Sequence, residues 1–216
     1  MLTLKLPSNG SSPLRVLCLG AHSDDIEIGC GGTLLKLLHQ NPNVLVHWVV
    51  FSADERRKRE ALASARAFLR RAKQWTVAVH HFRDGYFPFV GGEIKDCFET
   101  LKTFSPDVVF THHCGDLHQD HRVIGDLAWD TFRDHLILEY EIPKYDGDLG
   151  SPNVFVHLDK TVCARKLGYI VRHFQSQQSN RWFSAETFAS VLRIRGIESN
   201  APDDYAEAYY CRKMCL

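Results

Sequence analysis

The sequence predicts an α/β fold: a doubly wound, mostly parallel sheet with helices on both faces. Three observations predict it. Short apolar runs of strand length alternate with amphipathic stretches of helical length. Polar loops rich in His and Asp follow two of the apolar runs, where open α/β sheets carry their sites. A chain of 216 residues, 44% of them hydrophobic, holds enough apolar material for one full core.

Each element has its own signal. Residues 1–13 turn Ser-, Asn-, Gly- and Pro-rich and read as a loose lead-in. Residues 15–20 are an apolar first strand, and the loop after it runs GAHSDDIEIGCGG. A first helix is expected over 32–39, stopped by Asn41-Pro42. The run VLVHWVVF at 44–51 is a second buried strand. Asp54 can cap a helix from 55 to about 73, with Ala61, Ala65, Phe68 and Leu69 at helical spacing. A third strand is expected over 76–82, then turns at Asp84-Gly85 and Gly91-Gly92. A helix over 94–104 ends at Ser105-Pro106, and 107–111 is a fourth strand. A second polar loop, HHCGDLHQDH, fills 112–121, with a helix from about 122 to 132 behind it. Strands are expected over 136–142 and 154–158 around a Pro/Gly/Asp-rich loop at 143–152, and helices over 161–174 and 185–195 around an irregular polar stretch. With right-handed crossovers this is a Rossmann-like arrangement carrying a C-terminal α+β appendage. No repeat or composition break divides the chain, so 1–216 is expected to be one domain.

Composition narrows the function. Basic and acidic residues balance at 26 each, which gives no support for a nucleic-acid or membrane-surface partner. No apolar run is long enough for a membrane span. The seven cysteines are odd in number, form no C-x-x-C and follow no signal peptide, so a reducing, cytoplasmic setting is expected. Assembly into a homo-oligomer is left open.

The chemistry concentrates in the two polar loops. The first offers His22 and Asp25, and the second His118 and His121 with Asp120 between. Adjacent carboxylates such as Asp24 and Asp25 repel unless a proton or cation separates them, and a divalent metal is the simplest cation. Both loops should open on the same edge of the sheet and can converge on one ion. Imidazole nitrogen with carboxylate oxygen suits zinc, whose catalytic sites keep a position for water. A spare carboxylate can then take a proton from that water, and a spare histidine can serve the product side. Either loop alone is more simply a helix cap or a solvated loop; the pair on one edge makes the case. Other chemistries fit less well. The third glycine of a dinucleotide fingerprint is Leu34, the Gly-Lys-Ser/Thr of a P-loop is absent, and no G-x-S-x-G elbow occurs. Cys30 and Cys114 are expected to be small packed residues. Trp182 and the segment 139–145 are candidate walls for a sugar.

At these residues the sequence resembles the PIG-L / LmbE-like family of zinc-dependent N-acetylglucosamine deacetylases. The family's A-H-P-D-D-E and G-G-T are matched by Ala21-His22-Ser23-Asp24-Asp25 and Gly31-Gly32-Thr33, and its H-P-D-H by His118-Gln119-Asp120-His121. The R-x-x-E at Arg57 to Glu60, the Asp84-Gly85 turn and the YAEAYY end are also similar. The resemblance implies that His22, Asp25 and His121 hold zinc and that Asp24 is the general base. It implies that His118 stabilises the tetrahedral intermediate or protonates the amine, and that Asp120 orients an imidazole. It offers Arg57 and Asp84 as sugar contacts, against the alternative of a surface salt bridge and a turn residue. Ser23 and Gln119 stand where the family has proline, and Ile26-Glu27 where an acid comes directly. None of these departures removes a ligand or the base. Glu27 is expected to support the ligands from behind or to lie at the surface.

The implied activity is zinc-dependent removal of acetyl from a small-molecule N-acetylated amino sugar conjugate. Two alternatives stand beside it: a metal-binding homologue with an idle site, and a metal-dependent hydrolase of an ester or phosphoester.

Overall fold

The computed structural model describes residues 12–215, so most of the expected lead-in lies outside the described residues. The strands are β1 (Leu14–Gly20), β2 (Val44–Val50), β3 (Gln74–Val79), β4 (Val108–His112), β5 (Leu136–Tyr140), β6 (Val154–Leu158) and β7 (Tyr205–Tyr210). The helices are α1 (Asp25–Gln40), α2 (Glu55–Phe68), α3 (Gly91–Leu101), α4 (Gln119–Thr131), α5 (Lys160–His173) and α6 (Ala185–Glu198). The strands form one sheet in the order β3-β2-β1-β4-β5-β7-β6. The first five pair in parallel, and β7 runs antiparallel between β5 and β6.

Strand alternation sends successive side chains to opposite faces. Val16, Cys18 and Trp48 pack with Tyr140 and Tyr209 beneath α1, α2, α5 and α6. Leu17, Leu19, Phe51 and Val109 face the other way, against Ile94 and Phe98 of α3 and Ile124 and Ala128 of α4. The expected double winding is therefore present, and the C-terminal α+β part continues the same sheet. Among the described residues no helix is long and apolar enough to cross a membrane.

Several boundaries differ from expectation, each for a physical reason. Helix α1 begins at Asp25, seven residues before the predicted start at 32, and its glycines lie inside it. Glycine costs about 1 kcal/mol in a helix interior, but here close packing requires it. A Cβ on Gly29 would lie 2.2 Å from the Tyr140 ring, and one on Gly32 would lie 2.9 Å from Glu207 Oε1. Helix α4 begins at Gln119, three residues early, so Asp120 and His121 stand on its first turn. Gly91 opens α3 where the sequence predicts a turn. Asp54 caps α2 as expected, its carboxylate accepting the Arg57 N–H at 2.8 Å, but the helix stops at Phe68. Strand β7 is not predicted, because Glu207 interrupts its apolar pattern.

That glutamate is explained by its partners. Glu207 is buried and accepts the N–H groups of Gly32 and Thr33 in the middle of α1, at 2.7 and 2.6 Å. It also pairs with the buried Lys166 ammonium of α5 at 2.5 Å, and Lys166 donates in turn to the Ile28 carbonyl at 2.6 Å. Strand β7 is thereby bound to the helix that carries Asp25.

Candidate metal and catalytic site

From the adjacent strands β1 and β4 the chain leaves in opposite directions, to β2 on one side and β5 on the other, so the switch-point crevice lies between their carboxyl ends. The 21–24 loop leaves β1 there, and the 113–118 loop leaves β4 next to it. His22 and His121, 99 residues apart in sequence, meet in that crevice with His22 Nδ1 3.2 Å from His121 Nε2.

Asp25 completes the group. Its Oδ2 is 3.5 Å from His22 Nδ1, and its Oδ1 is 3.7 Å from His121 Nε2. The Asp25 carboxylate is held in place by the His22 N–H at 2.6 Å and by His112 Nε2 at 3.1 Å. Burial opposes its ionisation, yet the charges of His121 and His112 hold its carboxyl well below the usual range.

These residues fit a zinc ion. Ligands about 2.0–2.1 Å from zinc in a tetrahedron stand about 3.4 Å from one another; the two imidazole nitrogens are 3.2 Å apart, each faces one Asp25 oxygen, and one donor atom from each residue lies within 4.8 Å of the others. The remote nitrogen of each imidazole faces a carboxylate, the arrangement that fixes a ligating histidine. His121 Nδ1 is 2.9 Å from Asp116 Oδ2, and His22 Nε2 is 3.3 Å from both Asp120 Oδ2 and Asp84 Oδ1. Burial works against a charged His22, but Asp120, Asp25 and Asp84 outweigh it and raise its pKa well above the ordinary value. Burial pushes His121 the other way, down to about 3, and the neighbouring His112 adds to that shift.

Asp24 precedes the first residue of α1 but makes no capping bond. Its side chain is buried, and among the described residues its Oδ2 has no hydrogen-bond partner. Burial, with the adjacent Asp25 charge, pushes its carboxyl up to about 7. His118 caps α4 by accepting the Asp120 N–H at 3.2 Å, and its ring stands edge-on to His22 at 5.0 Å. Burial and the His22 charge lower its pKa. Asp120 is fully buried and accepts the N–H groups of Gly85 and Phe87 at 2.6 and 3.1 Å, which ties the 84–87 turn to α4. The Gln119 amide adds a bond to the Gly85 carbonyl at 2.5 Å.

Arg57 and Asp84 form an ion pair at 3.0 Å, part-exposed at the mouth, and Asp84 also touches His22. The salt bridge and the site contact thus coexist in one carboxylate. Glu27 is not a surface acid: it is wholly buried and unpaired among the described residues, and burial raises its carboxyl well above the usual range. Trp182 is half-buried and packs edge-to-face on Phe183 and Phe188, against the core. Cys30 is buried, and burial raises its thiol pKa, which disfavours a thiolate.

Sequence reasoning passes over three members of the cluster. His112 ends β4 fully buried against Asp25 and is no loop histidine. Asp116 and Lys144 reach the site only through the tertiary fold. Asp116 lies within the second polar loop, but no spacing rule pairs a residue with the histidine five places on.

These features define a doubly wound α/β protein with a His/Asp donor set at its switch point, beside an Asp24 Oδ2 that is unpaired among the described residues. Residues 17–132 match the PIG-L family, described as GlcNAc-PI de-N-acetylase, and the chain belongs to that family. Solved structures share its fold. A conserved protein from Thermus thermophilus superposes with a TM-score of 0.76 at 19% identity, covering 94% of this chain and 96% of that one. An N,N'-diacetylchitobiose deacetylase from Pyrococcus horikoshii gives 0.70 at 23% identity, covering 91% and 83%. A 4-carboxy-2-hydroxymuconate hydratase from Pseudomonas putida gives 0.70 at 17% identity, covering 94% and 98%.

Proposed function

We propose that this chain is a zinc-dependent N-deacetylase that hydrolyses the acetamide of an N-acetylated amino sugar conjugate, releasing acetate and a free amine. The observation that carries the reading is the convergence of His22, Asp25 and His121, one donor atom from each within 4.8 Å of the others, beside the buried Asp24, whose Oδ2 is unpaired among the described residues. Membership of a de-N-acetylase family supports the bond chosen.

His22, Asp25 and His121 hold the ion. When bound, zinc acidifies a water and polarises the amide carbonyl. Asp24 takes a proton from the attacking water through its free Oδ2. His118, edge-on to His22, stabilises the tetrahedral oxyanion or passes a proton to the amine as the C–N bond breaks. Asp120 and Asp116 fix the remote nitrogens of His22 and His121, so that neither ring turns away. Arg57 and Asp84, at the mouth, bind sugar hydroxyls.

The test is metal analysis of the purified protein with an acetate-release screen over N-acetylglucosamine conjugates, run beside matched esters and phosphoesters. About one zinc per chain and chelator-sensitive release of acetate and amine in equal amounts are expected. Bound metal with hydrolysis of esters or phosphoesters alone overturns the choice of bond. Bound metal with no turnover on any of the three favours an idle site.

A further inference from the structure

Lys144 lies in the loop after β5, yet its side chain is only 8% exposed. Its ammonium has three acceptors, one for each proton. It meets Asp116 Oδ2 at 2.9 Å, Asp148 Oδ2 at 2.5 Å and, more loosely, the Ile142 carbonyl at 3.4 Å. Asp116 is itself buried, and the oxygen that meets Lys144 also faces His121 Nδ1 at 2.9 Å. The other Asp116 oxygen accepts the His118 N–H at 2.7 Å, and Asp148 accepts the Leu117 N–H at 2.8 Å. One buried amine therefore braces both ends of the turn that launches α4, and it touches the carboxylate behind His121.

We infer that Lys144 is a positioning residue for metal binding: through Asp116 it fixes the ring of His121, and it supplies the counter-charge that Asp116 needs. His112, Asp116 and His121 themselves form a group whose donor atoms lie within 4.8 Å of one another. The ammonium stands against that group, so the protein provides a cation of its own on this side of His121. Without it, Asp116 keeps the His118 N–H on its other oxygen but loses the ammonium that holds and neutralises the oxygen facing His121. A charged hydrogen bond at that place governs a ligand's orientation, and the loss of such partners weakens metal affinity about 10- to 100-fold. The inference rests on His121 being a zinc ligand, as proposed above.

The experiment compares zinc affinity, by chelator competition, in the wild-type protein and in Lys144→Met, Lys144→Gln and Asp148→Asn. Visible spectra of the cobalt-substituted proteins and melting of the zinc-free proteins are recorded alongside. Zinc affinity about 10- to 100-fold weaker in Lys144→Met is expected, with an altered cobalt spectrum. Asp148→Asn loosens the loop but keeps the ammonium beside Asp116, so its affinity should stay within about threefold of wild type. If Lys144→Met does not fold, Lys144→Gln serves, since its shorter amide side chain keeps polar donors and removes the charge. Wild-type affinity and spectrum in either folded Lys144 variant overturn the inference, as does an equal loss in Asp148→Asn, which marks a simple brace. If the wild-type protein itself binds no zinc, the functional reading fails instead.

Discussion

In the proposed reaction, the side chain that would separate a metal site from a working one is Asp24. Its neighbour Asp25 is spoken for by His22, His112 and His121, whereas Asp24 Oδ2 has no partner among the described residues. A buried polar atom left unpaired costs about 1–3 kcal/mol, so its persistence asks for a reason. A proton acceptor for the attacking water is such a reason. Asp24→Asn keeps the shape and removes the base. It should lower kcat by about 10²- to 10⁴-fold, with zinc per chain unchanged. His22→Ala should lose zinc and turnover together, and metal analysis beside a rate assay distinguishes the two. At this scale the sequence is legible where chemistry sits in short motifs. His22, Asp25 and His121 can be named because each stands in a short His/Asp motif between a strand and the helix that follows it, and those motifs carry the family resemblance. His112, Asp116 and Lys144 cannot, because a buried strand end, an Asp five residues before a histidine and a lysine in a distant loop share no local pattern. Only tertiary packing brings them to His121.

The elements matter to the site chiefly through α1. The sequence places the start of this helix at Gly32 and reads the glycines as letting it pack close to the sheet. The start is seven residues earlier, but the close packing is present: the glycines lie inside the helix, where Tyr140 and Glu207 press against the backbone. Their signal is close approach, and the partner that makes it necessary, β7, lies more than 170 residues away. A strand with a central glutamate is unreadable for the same reason: its counter-ion Lys166 comes from α5. This pairing makes a stability prediction. Glu207→Gln leaves the buried Lys166 ammonium without a counter-charge, a change that costs about 3–5 kcal/mol. The double variant Glu207→Gln with Lys166→Met removes both charges and should lose less than the single variant, as read by urea unfolding. A double variant that loses the sum of both single losses would show that the two residues act independently.

At the scale of the whole molecule, the sheet brings together two loops that no local interaction joins. Strands β1 and β4 are adjacent and parallel, so their following loops must open side by side, and that much follows from strand–helix alternation alone. The consequence is that one ion would bridge residues 22 and 121, linking chain segments 99 residues apart. An ion that binds the folded chain and not the unfolded one stabilises by mass action, by about 4 kcal/mol at a thousandfold excess over its Kd. For a protein of this size that corresponds to a rise in Tm of about 8–16 °C. Thermal melts across a zinc series should therefore rise with the logarithm of free zinc and fall back when a chelator is added. His121→Ala should flatten the series, because the second loop then contributes no ligand. Asp24→Asn should keep the dependence intact, since Asp24 acts on the proton and not on the ion. A flat series in the wild-type protein would leave the meeting of the two loops to Asp116, Asp120 and the imidazoles alone. It would remove zinc from the account of how the crevice is held.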